Sequence, residues 1–195
     1  MTALTTMSRR QALAASLLLP LAGTRSVGAA AVARSGKKAV VVYFSRTGNT
    51  RVIARQISRA MGAVMFEIQP AKPYPEDYRE TVEQARRERD GGIRPVLQAN
   101  LPDIVQYDII YLGFPIWGET APPVIRSFLG GHDLAGKTLV PFITHGGYGP
   151  GDSLSVLAAH APEARLVNSG FVMQDTQEKQ TLQRVTEWLG KVSGD

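Results

Sequence analysis

The fold is constrained most by residues 39–50. They combine a strand pattern typical of full burial with a hydroxyl-rich turn that follows it directly. Residues 39–44 are a continuous β-branched and aromatic run, which is typical of a strand covered on both faces of a parallel sheet. Residues 45–50 read Ser-Arg-Thr-Gly-Asn-Thr and lead straight into a helical pattern. Free backbone N–H groups at the start of a helix, together with hydroxyl and amide side chains, suit a phosphate group. The stretch therefore predicts a strand, an anion-binding turn and a helix.

Strand and helix patterns alternate along the rest of the chain. Strands are predicted at 39–44, 63–68, 108–114, 138–144 and 166–173. Helices are predicted from the turn to Gly62, at 76–90, 122–129 and 152–160, and after a capping box formed by Asp175 and Glu178. Strict alternation of this kind predicts the α/β class, as a three-layer, doubly wound sheet of five parallel strands.

The first 33 residues differ in kind from the rest. They contain no acidic residue, and they run from the pair Arg9-Arg10 through an apolar stretch to small residues that end in Ala31-Val32-Ala33. This order is typical of a secretory signal, and the paired arginines resemble a twin-arginine signal. The apolar stretch is shorter than the roughly 20 residues that span a bilayer. We expect residues 1–33 to be a cleaved signal and 34–195 to form one exported, periplasmic domain. A disordered tail on a cytoplasmic protein is the alternative.

Charge and cysteine content exclude several classes of function. The formal net charge is +5, with 22 basic and 17 acidic side chains. Removal of the predicted signal takes three arginines and no acids, which leaves 19 basic side chains and a charge of +2. Charge alone therefore gives no indication of nucleic-acid binding. The chain has no cysteine, which excludes a disulfide framework, a thiolate metal site and a cysteine nucleophile. Any redox chemistry needs a cofactor.

The turn after the first strand resembles a known phosphate-binding loop. Residues 45–50 are similar to the flavodoxin loop Ser/Thr-x-Thr-Gly-Asn-Thr, which wraps the terminal phosphate of FMN. The resemblance implies FMN as the cofactor, a strand order of 2-1-3-4-5 and a ligand at the carboxyl edge of strands 1 and 3. It also implies six cofactor-binding residues, namely Ser45, Arg46, Thr47, Gly48, Asn49 and Thr50.

The loop after the third strand has the composition expected beside a flavin ring. Pro115-Ile116-Trp117-Gly118 resembles the flavodoxin segment that places an aromatic side chain against the ring. By the same resemblance, Gly118 is the candidate for a peptide that flips and accepts a hydrogen bond from the flavin N5–H group. The alternative is that Trp117 packs beneath its loop as a core residue.

The loop after the fourth strand is rich in glycine, which permits close approach of the backbone to a ligand. Its predicted cofactor-binding residues are Thr144, His145, Gly146, Gly147, Tyr148 and Gly149. By resemblance, the amides contact the pyrimidine end of the ring, and Tyr148 or His145 covers its other face. Protonated His145 would raise the redox potential. The alternative is that His145 only makes hydrogen bonds within the loop.

These patterns predict a flavodoxin-like redox protein that transfers electrons through non-covalently bound FMN, to a redox partner protein or a small-molecule acceptor. No catalytic side chain and no metal ligand is expected. An FMN-dependent NAD(P)H:quinone or related small-molecule reductase is the first alternative, with the segment of Tyr74 and Tyr78 and the following helix lining its pocket. A flavin-binding module without turnover is the second. We expect a monomer or homodimer, with no nucleic-acid partner and no stable membrane insertion after signal removal.

Overall fold

The computed structural model describes residues 36–174 and 181–192. The predicted signal and the predicted capping box at Asp175 and Glu178 lie outside the described residues. In chain order the strands are β1 (Ala39–Tyr43), β2 (Val64–Glu67), β3 (Ile109–Pro115), β4 (Thr138–His145), β5 (Arg165–Leu166) and β6 (Phe171–Gln174). The helices are α1 (Asn49–Met61), α2 (Tyr78–Asp90), α3 (Pro123–Gly130), α4 (Ser153–His160) and α5 (Thr181–Val192), with a short 3₁₀ turn at Ile104–Gln106. Among the described helices, none is long and apolar enough to cross a bilayer.

The strands form one parallel sheet in the order β2-β1-β3-β4-β5. This confirms the predicted α/β class and the predicted strand order. Successive side chains of β1 point to opposite faces of the sheet, because the side-chain period of a strand is two residues. Val40 and Val42 join one core with α3 and α4, whereas Val41 and Tyr43 join a second core with α1 and α5. Helices therefore cover both faces, and the layers number three.

The prediction of one continuous fifth strand at 166–173 is wrong, because the segment is interrupted. The structure has two short strands there, and both pair with β4, so that the sheet has six strands within residues 36–174 and 181–192. The carbonyl of Leu139 accepts a hydrogen bond from the N–H of Val167 at 2.9 Å. Pro141, two residues further along β4, faces the same neighbour but has no N–H to donate. Because Pro141 cannot continue the ladder, the edge strand breaks beside it.

The buried phenol of Tyr111 predicts a pH dependence of stability. Tyr111 is 2% exposed, and burial raises its pKa to about 12. Above pH 10 the unfolded chain loses a proton that the folded chain keeps, so the free energy of unfolding falls as the pH rises from 10 to 12. The expected loss is about 2 kcal/mol by pH 12. Denaturant unfolding at each pH measures it.

Tyr111→Phe is the matched variant for this pH dependence. We expect this variant to reduce the loss of unfolding free energy between pH 10 and 12 only in part. The rest of the loss comes from Tyr74, because burial and a hydrogen bond with Glu88 also raise its pKa. An identical slope in wild type and Tyr111→Phe would show that Tyr111 is not responsible.

Candidate functional site

The loops after β1, β3 and β4 meet at the carboxyl edge of the sheet around a cavity of about 430 Å³. This volume lies in the range of sites that bind small molecules. The order in which the strands are added reverses at β1, since β2 lies on one side of it and β3 on the other. Ligands of open α/β sheets bind at such a switch point. The cavity is therefore the candidate site by position as well as by size.

The cavity brings together most of the predicted cofactor-binding residues. Those that line it are Arg46, Thr47, Asn49, Thr50, Pro115, Ile116, Trp117, Gly118, Thr144, His145 and Gly146. Those that do not line it are Ser45, Gly48, Gly147, Tyr148 and Gly149.

Ser45 supports the first loop from behind. Its side chain is buried, and its Oγ accepts hydrogen bonds from the N–H groups of Gly48 (3.2 Å) and Arg51 (3.3 Å). Gly48, at the N-terminus of α1, has a φ of 99°, a value that a side chain would strain. Gly48 itself makes no side-chain cap, and among the described residues Ser45 Oγ accepts only the Arg51 N–H from the first turn. The N–H groups of its first turn, at Asn49 and Thr50, therefore remain available to an anion at the cavity.

Thr144 joins the three loops. Its Oγ1 lies 2.9 Å from the Oγ1 of Thr50, and its carbonyl accepts a hydrogen bond from the N–H of Ile116 at 2.8 Å. Thr50 and Thr144 are both buried, so these bonds are shielded from competition by water. The arrangement fixes the spacing between the start of α1 and the later loops.

Trp117 begins a tight turn that reaches the β4 loop. The N–H of Trp117 donates to the carbonyl of Thr120 at 3.0 Å, while Gly118 and Glu119 have φ values of 58° and 64°. Two central residues with positive φ are the pattern of a type I′ turn. The carbonyl of Glu119 in turn accepts from the N–H of Asp152 at 3.0 Å. The β3 loop is thus held against the β4 loop through backbone groups.

The Trp117 ring is both a packed aromatic and a cavity wall. It meets the rings of Phe44 and Tyr74 edge-on, with centroid separations of 5.2 and 4.8 Å. The hydroxyl of Tyr74 donates to Glu88 at 2.8 Å. Trp117 nevertheless lines the cavity. Trp117 therefore packs among aromatic side chains, as the core-residue alternative expected, and its contact with a flavin stays a prediction.

His145 organises the glycine-rich loop. Its Nδ1 accepts hydrogen bonds from the N–H groups of Gly147 and Gly149, each at 3.1 Å. A proton on Nδ1 would break both bonds, so this loop conformation requires the Nε2–H tautomer. The same bonds engage two amides that were expected to face a ligand. Tyr148 is 86% exposed and lies away from the cavity.

Helix α2 supplies cavity residues that the sequence did not identify as cofactor ligands. They are Tyr78, Thr81, Val82, Ala85, Arg86 and Arg89. Of the apolar stripe on this helix, Ala85 is buried, whereas Tyr78 is 71% and Val82 46% exposed. The available signal was that stripe on an otherwise charged helix, but a core-facing stripe has the same spacing. The sequence predicted this helix either as the wall of a reductase's substrate pocket or as a core-packing stripe, and not as a cofactor-binding element.

The side chains around the cavity are basic. Arg46, Arg86 and Arg89 line it, and among the residues that the structure describes no acidic one does. Arg46 donates to the carbonyl of Glu76. Arg86 and Arg89 share the carboxylate of Asp90, with N–O distances of 3.6 and 3.0 Å. The arrangement favours an anionic ligand that also has an aromatic or apolar part.

Comparison with known proteins agrees with this geometry. The family model of the flavodoxins matches residues 38–192. A candidate flavoprotein from Bacteroides eggerthii DSM 20697 is 31% identical, with 80% of this chain and 98% of that chain covered and a TM-score of 0.69. One from Bacteroides uniformis ATCC 8492 is 32% identical, with 76% and 97% covered and a TM-score of 0.67.

A flavoprotein from Lactobacillus acidophilus NCFM, solved in complex with FMN, shares the fold. It is 21% identical over 75% of this chain and 99% of that chain, with a TM-score of 0.62. No curated protein matches the chain. The family match spans the whole sheet and the loops around the cavity, and the chain belongs to the flavodoxin family.

Proposed function

We propose that the chain binds FMN non-covalently in this cavity and transfers electrons through it. The observation that carries the proposal is that Asn49 and Thr50, at the start of α1, and the half-buried Trp117 line the same cavity. FMN needs both features, since it has a phosphate at one end and a flat aromatic ring at the other. When bound, it would supply one- and two-electron redox chemistry to a chain that has no cysteine.

Each end of the cavity has groups that fit one end of FMN. Thr47 and Asn49 are exposed at the cavity and carry a hydroxyl and an amide, which hydrogen-bond a phosphate without a lysine or a metal. Ile116, Trp117 and Val82 line the same cavity and suit the flat faces of the ring. Gly118 already has positive φ, so its peptide has the conformational freedom that the proposed contact with N5–H requires.

A small-molecule reductase is the second candidate function. Tyr78 and Val82 line the cavity and are largely exposed, which leaves apolar surface available to a small second substrate such as a quinone. A carrier, by contrast, needs a partner protein. Steady-state oxidation of NADH or NADPH by the FMN-loaded protein with a quinone acceptor separates the two functions. We expect turnover only when a reductase protein is added, and rapid turnover without one would replace the carrier with the reductase.

We also propose that the protein is exported through its twin-arginine segment. Cell fractionation is expected to find the mature domain in the periplasm. The double variant Arg9→Lys, Arg10→Lys keeps the charge of the segment but removes the paired arginines, and we expect it to retain the protein in the cytoplasm. A periplasmic double variant would contradict the twin-arginine assignment.

A further inference from the structure

Helix α2 runs along the cavity from one end to the other. The carbonyl of Glu76, just before the helix, accepts a hydrogen bond from Arg46 of the first loop. Near the other end of the helix, Arg89 lies against Gly118, where an added Cβ would be 2.5 Å from the Arg89 Nη1. The 13 residues of α2 correspond to a length of about 20 Å. The helix therefore connects two ends of the cavity. The anion-binding end is lined by Asn49 and Thr50 at the start of α1, and the aromatic end is lined by Trp117.

Two arginines lie at the aromatic end, away from the groups that suit a phosphate. Arg86 and Arg89 follow Glu76 by 10 and 13 residues, or about 15 to 20 Å along the helix. The phosphate has neutral donors of its own at the start of α1. Asp90 pairs with both guanidinium groups, and Glu83 pairs with that of Arg86 at 4.0 Å, but neither carboxylate lines the cavity. The charged groups that line this end of the cavity are therefore the two arginines.

Of the two arginines, Arg89 is the better placed to act electrostatically on a ligand in the cavity. Its side chain is 32% exposed, whereas that of Arg86 is 64% exposed. A charge that is partly withdrawn from water acts more strongly on its neighbours. Asp90 accepts a hydrogen bond from the Nε of Arg89 at 3.0 Å, and this bond holds the guanidinium group beside the Trp117–Thr120 turn.

Full reduction of a flavin adds negative charge to the ring system, and a cation near the ring lowers the free energy of that charged form. We propose that Arg89, with a smaller contribution from Arg86, stabilises the reduced cofactor over the oxidised one and so raises its redox potential. This inference rests on the proposed binding of FMN. It assigns α2 a role in tuning the cofactor besides forming a wall of its cavity.

The test compares the affinities of oxidised and dithionite-reduced FMN, measured anaerobically for wild type and variants. We expect Arg89→Gln to weaken binding of reduced FMN about tenfold and binding of oxidised FMN less than twofold. The ratio of the affinity for reduced FMN to that for oxidised FMN sets the shift in redox potential on binding. A tenfold fall in this ratio lowers the potential of a two-electron couple by about 30 mV. Arg89→Lys, which keeps the charge, should preserve most of the ratio.

Arg87→Gln is the matched control, because Arg87 lies on the same helix, is 68% exposed and does not line the cavity. It should leave both affinities unchanged. Equal weakening of oxidised and reduced FMN by Arg89→Gln, or no change in either, would overturn the tuning role while leaving FMN binding intact. Failure of the wild type to bind FMN in either state would instead overturn the proposed function and the tuning role with it.

Discussion

Replacing Thr47 and Asn49 together with alanine is expected to weaken FMN binding about 100- to 10,000-fold while riboflavin binding stays nearly constant. Each side chain offers one hydrogen bond to a charged phosphate, and such bonds contribute about 1.5–3 kcal/mol each. Both residues are exposed and line the cavity. Riboflavin lacks the phosphate, so it loses nothing at this end. Fluorescence titration of the two ligands against wild type and variant measures the difference.

The loop should keep its shape in this double variant. Ser45 holds it through the N–H groups of Gly48 and Arg51, and neither Thr47 nor Asn49 takes part in those bonds. Arg55→Ala provides the control, since Arg55 lies on α1, is exposed and does not line the cavity. It should bind both ligands as wild type does. If the double variant lost FMN and riboflavin affinity to the same extent, the phosphate would not lie at this loop.

Gly151→Ala is expected to destabilise the fold by about 3 kcal/mol, a fall in melting temperature of roughly 10 °C for a chain of this size. Gly151 has a φ of 54°, and a Cβ added there would lie 1.8 Å from the carbonyl oxygen of Glu119. That oxygen accepts the N–H of Asp152, so the clash falls on the contact that holds the β3 loop against the β4 loop. Because the Trp117 turn must move, FMN affinity should fall as well.

Gly146→Ala in the same loop separates crowding from a general effect of alanine. In the part of the chain that the structure describes, no atom beyond the two neighbouring residues lies within 4 Å of a Cβ at Gly146, and its φ is not positive. We expect its melting temperature to stay within about 2 °C of wild type, a change of less than 1 kcal/mol. Thermal unfolding of both variants decides the matter. A Gly151→Ala protein as stable as Gly146→Ala would show that the two loops are not in the close contact described above.

The sheet was predictable because its pattern is local. Runs such as residues 39–44 are apolar at every position, and a strand covered on both faces needs that composition. The strand order followed from the family resemblance and was confirmed. The break in the edge strand was not predictable, since it depends on Pro141 of the neighbouring strand. The proline lies in β4 and interrupts the strand that pairs with β4, and sequence periodicity does not reveal which strands pair.

The loops of the site were predictable in position but not in detail. Hydroxyl and glycine content marked the segments after β1, β3 and β4, and each contributes to the cavity. The role of His145 as an acceptor for two amides of its own loop depends on a ring orientation that no pattern records. Helix α2 was harder still, because Tyr78, Val82 and Ala85 have the spacing of a core stripe. Only its position in the fold shows that it lines the cavity.

A titration of the purified mature protein with FMN and with riboflavin, read by the quenching of flavin fluorescence, tests the central claim most directly. The account predicts saturation at one FMN per chain, and binding of riboflavin that is weaker by the contribution of the phosphate. Folded protein that leaves the fluorescence of added FMN unchanged, or that binds riboflavin as tightly as FMN, would contradict it.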